Sequence, residues 1–197
     1  MKKIILSTLT ALTLITIGFS GCSNSEPKVQ NKEYINQGEL SKAPNWVLMP
    51  SYEGKIAAAG SAQQNSANDI SFQRNTAMAD ARNNLVKTTE IIVKNMFKTF
   101  KNQTGNKSGT FDSVSESVSK QVANKTVLGS EVKSVWISPK GTMFVLMVTD
   151  PKNVINSISN NSSLKNDKAL WQQFQAKKAQ EDLSKELENS YISVRSN

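Results

Sequence analysis

The chain has 197 residues, with 24 Lys and Arg against 16 Asp and Glu, no His and a single Cys. That length suits one ordinary domain with tails. The absence of His removes the commonest general base and the commonest neutral metal ligand, and one Cys excludes both an internal disulfide and a cysteine-based zinc site. A hydrophobic fraction of 38% with nine Gly excludes multi-span membrane and collagen-like classes.

Met1-Lys2-Lys3 opens the chain with positive charge, and an apolar run from Ile4 to Phe19 follows. The run falls short of the roughly 20 residues that span a bilayer, so it reads as a secretory signal peptide over residues 1–21. It ends in Phe19-Ser20-Gly21-Cys22, which resembles a bacterial lipobox with Phe in place of the usual Leu. That resemblance implies a diacylglyceryl group on the Cys22 sulfur, cleavage just before it, and acylation of the new amine. Several fatty chains of the palmitate kind anchor stably where one does so only marginally. Cys22 is therefore the expected lipidation site; the competing reading is an ordinary secretory signal with an incidental Cys. Ser23 follows, rather than the Asp that retains many lipoproteins at the inner membrane, which favours the outer membrane and leaves its periplasmic or surface-facing side open.

Residues 22–42 are polar and rich in Asn, Gln, Ser, Glu and Lys. They bury little apolar area and read as a lipidated flexible tether. Folded structure is expected over residues 43–160, beginning at Ala43-Pro44-Asn45-Trp46-Val47 with an apolar plug that Pro50 closes. Lys55 to Ala62 reads as a short strand whose small residues let a helix lie close, with Gly60 tolerating a tight approach.

Asp69 to Lys101 carries a long helical pattern. Ala77, Ala81, Leu85, Ile92, Met96 and Phe100 recur at three and four residues as one buried stripe, widened by Met78, Val93 and Phe97. Such a helix is about 50 Å long, so part of it must pack on a second helix or a second subunit, or stay solvated. Lys101 to Thr110 reads as a loop. A second helix is predicted from Asp112 to Asn124, with Ser113 and Glu116 at capping-box spacing and Phe111, Val114, Val118 and Val122 as its stripe. The two helices pair as a hairpin.

Val132 to Ile137 and Thr142 to Thr149 read as strands joined by the Ser138-Pro139-Lys140-Gly141 turn, in which Gly accepts a positive φ. The second strand is apolar on both faces and so central or doubly covered. Trp136 and Phe144 are expected in the core. Asp150-Pro151 starts a short helix as N-cap and first position, with Val154, Ile155 and Ile158 inward. A C-terminal helical extension over residues 161–197 contains a last helix from Lys165 to Glu188, with Leu170, Phe174, Ala179, Leu183 and Leu187 on overlapping faces and a Glu181–Lys185 pair. The sum is an α+β fold: a small antiparallel sheet of about three strands faced by a long helix, with additional C-terminal helices.

Nothing in the sequence calls for catalysis. A Ser-His-Asp triad needs His, and no G-x-S-x-G or S-x-x-K elbow sits in a strand-turn-helix setting. Asp69, Asp80 and Glu90 share one helix and read as a solvated face. Gly105-Asn106-Lys107-Ser108-Gly109 lacks the phosphate-loop spacing. Asp80 and Arg82, beside small residues, read either as a helix-to-strand contact that fixes register or as a ligand-binding edge, and Arg74 shares that ambiguity. No metal or cofactor set stands out. A basic surface suits anionic lipid, lipopolysaccharide, peptidoglycan or nucleic acid, but scattered Lys without interleaved exposed aromatics argues against nucleic acid.

Taken in order, Cys22, the Ala43 to Val47 entry, Ala59-Gly60-Ser61-Ala62, Asp80-Ala81-Arg82-Asn83-Asn84-Leu85 and the Trp136 to Val148 hairpin resemble the bacterial outer-membrane lipoprotein family typified by the twenty-kilodalton membrane-associated lipoprotein of Helicobacter. The resemblance spans roughly Ala43 to Ile158. It implies a dodecin-like β-α-β-β arrangement and a lipid-anchored, antigenic, non-enzymatic protein of the cell envelope, some of whose relatives act in flagellar assembly. The Lys165 to Glu188 helix departs from the family pattern. Candidate partners are the membrane itself, through Cys22, a second copy of the chain, and envelope or flagellar proteins. The alternative is a surface adhesin or small-ligand-binding lipoprotein.

Overall fold

The computed structural model describes residues 38–104, 109–179 and 187. Cys22, the signal peptide and most of the expected tether lie outside them. Elements follow in the order α1 (Asn45–Leu48), β1 (Ile56–Ala62), α2 (Ile70–Thr104), α3 (Gly109–Val127), β2 (Glu131–Ile137), β3 (Met143–Thr149), α4 (Pro151–Ser159), α5 (Ser162–Asn166) and α6 (Lys168–Ala179). The three strands form one antiparallel sheet in the order β1-β3-β2, so the doubly apolar strand is central, as its composition requires.

Strand parity sorts the side chains. Ile56, Ala58, Gly60 and Ala62 share a face with Thr149, Met147, Val145 and Met143. The first half of α2 lies on this face, where Ala77, Ala81 and Leu85 are fully buried. The second half of α2 runs past the sheet and packs on α3. There Ile92, Met96 and Phe100 meet the α3 stripe of Phe111, Val118 and Val122 in one continuous core. Phe97 and Phe100 pack edge to face, centroids 6.0 Å apart. A second helix, then, occupies the half of α2 that the sheet does not reach.

The close approach of α2 to β1 depends on Gly60. A β-carbon there would stand 2.0 Å from the Ala81 nitrogen and 2.7 Å from the Ala77 oxygen. The three smallest side chains of the interface meet at one point, and the helix backbone rests on the strand backbone. At the other end of the sheet, Gly141 closes the β2–β3 turn at φ +84°, with its N–H donating to the Ser138 oxygen at 2.9 Å.

Asp150 caps α4, its carboxylate accepting from the Lys152 N–H, with Pro at the helix start. Val154 and Ile158 of α4 join the core together with Leu164, Leu170, Phe174 and Leu187. Glu39, within the span expected as tether, accepts a hydrogen bond from the Ser138 hydroxyl.

Several expectations are corrected. Of the span expected as a loop, Lys101 to Thr104 belongs to α2 and Gly109 to Thr110 to α3, because buried Phe100 and Phe111 hold both helices to the same core. Ser113 and Glu116 therefore lie inside α3 rather than at its start; Glu116 pairs with Lys120 one turn on, at 2.8 Å. The short helix α5 was not anticipated: Asn161 caps it by accepting from the Leu164 N–H at 3.1 Å. The last helix starts at Lys168 rather than Lys165 because the Asp167 carboxylate accepts from the Leu170 N–H at 3.0 Å. Leu183 and the Glu181–Lys185 pair lie outside the described residues. Trp136 and Phe144 are half-buried rather than core. Their rings meet at a tilt, centroids 5.5 Å apart, on the sheet face away from α2, where, among the described residues, Trp46 and Tyr52 pack over Ala57, Leu146 and Val148.

Candidate functional site

The two edges of the sheet are treated differently. On β1, the Ser61 N–H donates to the Asp80 carboxylate at 2.9 Å, and the Asn84 amide donates to the Ala59 oxygen at 2.9 Å. Buried Gln73 donates to the Ala62 oxygen at 3.0 Å and to the Gly141 oxygen at 2.6 Å, tying α2 to the far turn. Asp80, one of the charges singled out in the sequence, thus makes the helix-to-strand contact and closes the β1 edge. Arg82 and Arg74 are exposed and take no part in it.

Ser61 and Ala59 use groups that point away from β3, so β1 exchanges ladder bonds with β3 through the alternate residues. By the same alternation across β3, Val135 and Ile137 of β2 turn their backbone groups outward. Among the described residues no strand lies beyond β2, and Val135 and Ile137 are 45% and 47% exposed. A bulge at Lys133 interrupts the register, a device that limits indiscriminate pairing of an edge.

Beside that bulge is a small charge network. Lys133 meets Glu131 at 2.8 Å, and Lys55 reaches Asp150 at 3.5 Å and Glu131 at 3.9 Å. The Lys133 ammonium also lies 5.4 Å above the Tyr52 ring, a cation–π arrangement. The hydrogen bond from Lys133, then its charge and that of Lys55, hold the Glu131 carboxyl below its ordinary value, and the same bond raises Lys133. The remaining acids of α2 have structural occupations: Asp69 caps the helix through the Ser71 and Phe72 N–H groups, and Glu90 pairs with Lys94 at 2.8 Å. Among the described residues no group of three or more His, Cys, Asp or Glu is placed to hold a metal ion.

A polar cleft between the end of α3 and α4 escaped the sequence reading. Its main cavity of about 250 Å³ is lined by Lys125, Thr126, Gly129, Asn153, Asn156, Ser157 and Asn160. A second cavity of about 140 Å³ continues it toward Gln121 and Asn161, which are bonded to each other at 3.0 Å. The available signal was the run Asn153 to Ser163, with Asn at 153, 156, 160 and 161. Asn is a poor helix former, and three of these lie on one helix face.

A three-stranded antiparallel sheet backed by one long helix, with its central strand last in the chain, defines a two-layer α+β module. The chain belongs to the LPP20 lipoprotein family, whose model matches residues 44–150. That span runs from the residue before α1 to the cap of α4 and takes in the whole sheet with α2 and α3; α4, α5 and α6 lie beyond it. No curated protein matches the chain. The family is not a known enzyme family, and lipoprotein membership implies a lipid membrane anchor. Among the described residues no helix is long and apolar enough to cross a membrane.

Proposed function

We infer that the protein is an outer-membrane lipoprotein, acylated on Cys22, that serves the cell envelope as a structural or interaction component and not as a catalyst. The observation that carries this reading is the family match over residues 44–150, preceded in the chain by an apolar run that leads into Phe19-Ser20-Gly21-Cys22. Residues 1–21 are the leader in this account, 22–42 the lipidated tether, 43–160 the lipoprotein domain and 161–197 the helical extension. The β2 edge with Val135 and Ile137 is the surface that suits a protein partner, since helix side chains close the β1 edge and, among the described residues, no strand pairs with the outer side of β2. A second copy of the chain and envelope or flagellar proteins are the candidate partners. Deleting the gene and assaying motility and envelope permeability tests the role. A defect in either is expected, and wild-type behaviour in both contradicts it.

The alternative, a surface-exposed adhesin or small-ligand-binding lipoprotein, draws support from the polar cleft. Protease treatment of intact cells separates the two: protection of the chain removes the adhesin.

A further inference from the structure

We propose that the cleft between α3 and α4 binds a saccharide carrying one anionic group, through the side-chain amides of Asn153, Asn156 and Asn160 and the ammonium of Lys125. Three observations converge. Asn153, Asn156 and Asn160 line one cavity, yet among the described residues their side chains make no hydrogen bond; the neighbouring amides of Gln121 and Asn161 are already bonded. Each free amide offers two donors and an acceptor in one plane, a set that matches vicinal hydroxyls and acetamido groups. Lys125 lines both cavities and has no ion pair among the described residues, and no acidic side chain lines either cavity, so the site favours negative charge.

Shape agrees with this chemistry. Val122 is the sole apolar residue lining the two cavities, so a peptide would find no seat for its side chains, whereas a hydrated polyol needs none. The family match ends at residue 150, just before the α4 wall of the cleft.

The envelope origin of the ligand rests on the anchoring proposed above; the chemistry of the cleft does not. Two envelope sources share that chemistry. Peptidoglycan strands freed of their stem peptides supply amino sugars with a free lactyl carboxylate, and lipopolysaccharide core supplies sugars with phosphate or carboxylate. The test is calorimetric titration of the full acylated chain in detergent with four probes. These are the N-acetylglucosamine–N-acetylmuramic acid disaccharide, delipidated core oligosaccharide, neutral chitobiose and tetra-alanine. One of the two anionic saccharides is expected to bind best, and which one identifies the source. The Asn156→Ala/Asn160→Ala double variant should lose about tenfold or more in affinity at unchanged melting temperature. Lys125→Gln should lose about tenfold for the anionic probe alone. Asn156→Asp keeps the side-chain size and should weaken binding of the anionic probe far more than that of chitobiose, since it adds repulsion to the lost amide donors. The proposal is overturned if neither anionic saccharide binds, if these variants bind as tightly as the wild type, or if tetra-alanine binds as well as the sugars. A Cys22→Ala chain should bind equally, so failure of the anchor and failure of the cleft give different results.

Discussion

Gly60 and Ala81 touch through their backbones: a β-carbon on Gly60 would overlap the Ala81 nitrogen at 2.0 Å. The contact lies on the inner sheet face, between a strand and a helix whose inward-facing residues Ala58, Ala62, Ala77 and Leu85 are buried. Neither side can rotate away, because what a larger residue would strike is main chain. Gly60→Ala should therefore cost at least the about 1–3 kcal/mol typical of an overpacked core. That corresponds to several degrees of melting temperature in a chain of this size. Gly38→Ala, where nothing lies within 4 Å, is the control and should melt with the wild type. Equal melting of both variants would show that α2 does not sit on β1 as described.

Asp80 and Asn84 substitute for a missing fourth strand. Their bonds to Ser61 and Ala59 are partly solvated, so water replaces some of what is lost on mutation. Asp80→Ala should destabilise by about 1 kcal/mol, less than the about 1.5–3 kcal/mol usual for a hydrogen bond to a charged group, because this one is exposed. The more specific sign is kinetic: the Ser61 amide should exchange its hydrogen faster while the amides of β3 keep their protection. Unchanged exchange at Ser61 would remove the edge-closing role.

Val135 and Ile137 place large apolar side chains on the free edge of β2. Val135→Lys and Ile137→Lys should change stability within about 0.5 kcal/mol, as exposed positions do. Both should thin the list of partners cross-linked to the protein in intact cells. A partner list identical to that of the wild type would move the interaction surface elsewhere.

The response to pH follows from the signs of the carboxylate and lysine shifts. The Glu131 hydrogen bond with Lys133, and the Glu39 hydrogen bond with Ser138, hold both carboxyls below 4.5. Their contribution is present above that value and is lost as pH falls through the lowered one. Lys133 is raised above 10.5 by Glu131, so its contribution is present below 10.5 and is lost as pH rises through the raised value. With no His in the chain, melting temperature should be level from about pH 6 to pH 9 and decline on either side. Glu131→Gln should shrink both declines. A transition centred near neutrality would contradict this assignment of charges.

Much of this architecture was legible because it depends on periodicity and on residues with few options. The Ala77 to Phe100 stripe, the doubly apolar β3, the Asp150-Pro151 start and the Gly141 turn each state one local rule, and each stands where that rule puts it. What escaped depends on docking between distant segments. Trp136 and Phe144 look like core from their strands alone; their half-burial reflects how little of the outer face Trp46 and Tyr52 cover. Ser113 has the right spacing for a cap, yet Phe111 is drawn into the core and carries the helix start upstream of it. Asn153, Asn156 and Asn160 read as ordinary polar residues until α4 is set against α3 and turns them toward Lys125. Asp80 is the intermediate case: its type and place suggested a strand contact, and only the β1 edge showed which groups it serves.

Acylation of Cys22 is the claim on which the envelope role depends, and metabolic labelling with radioactive palmitate tests it most directly. The wild-type chain should take up label and fractionate with the outer membrane, and the Cys22→Ala chain should be unlabelled and released from it. An unlabelled wild-type protein, or a Cys22→Ala protein that stays with the membrane, would contradict the account.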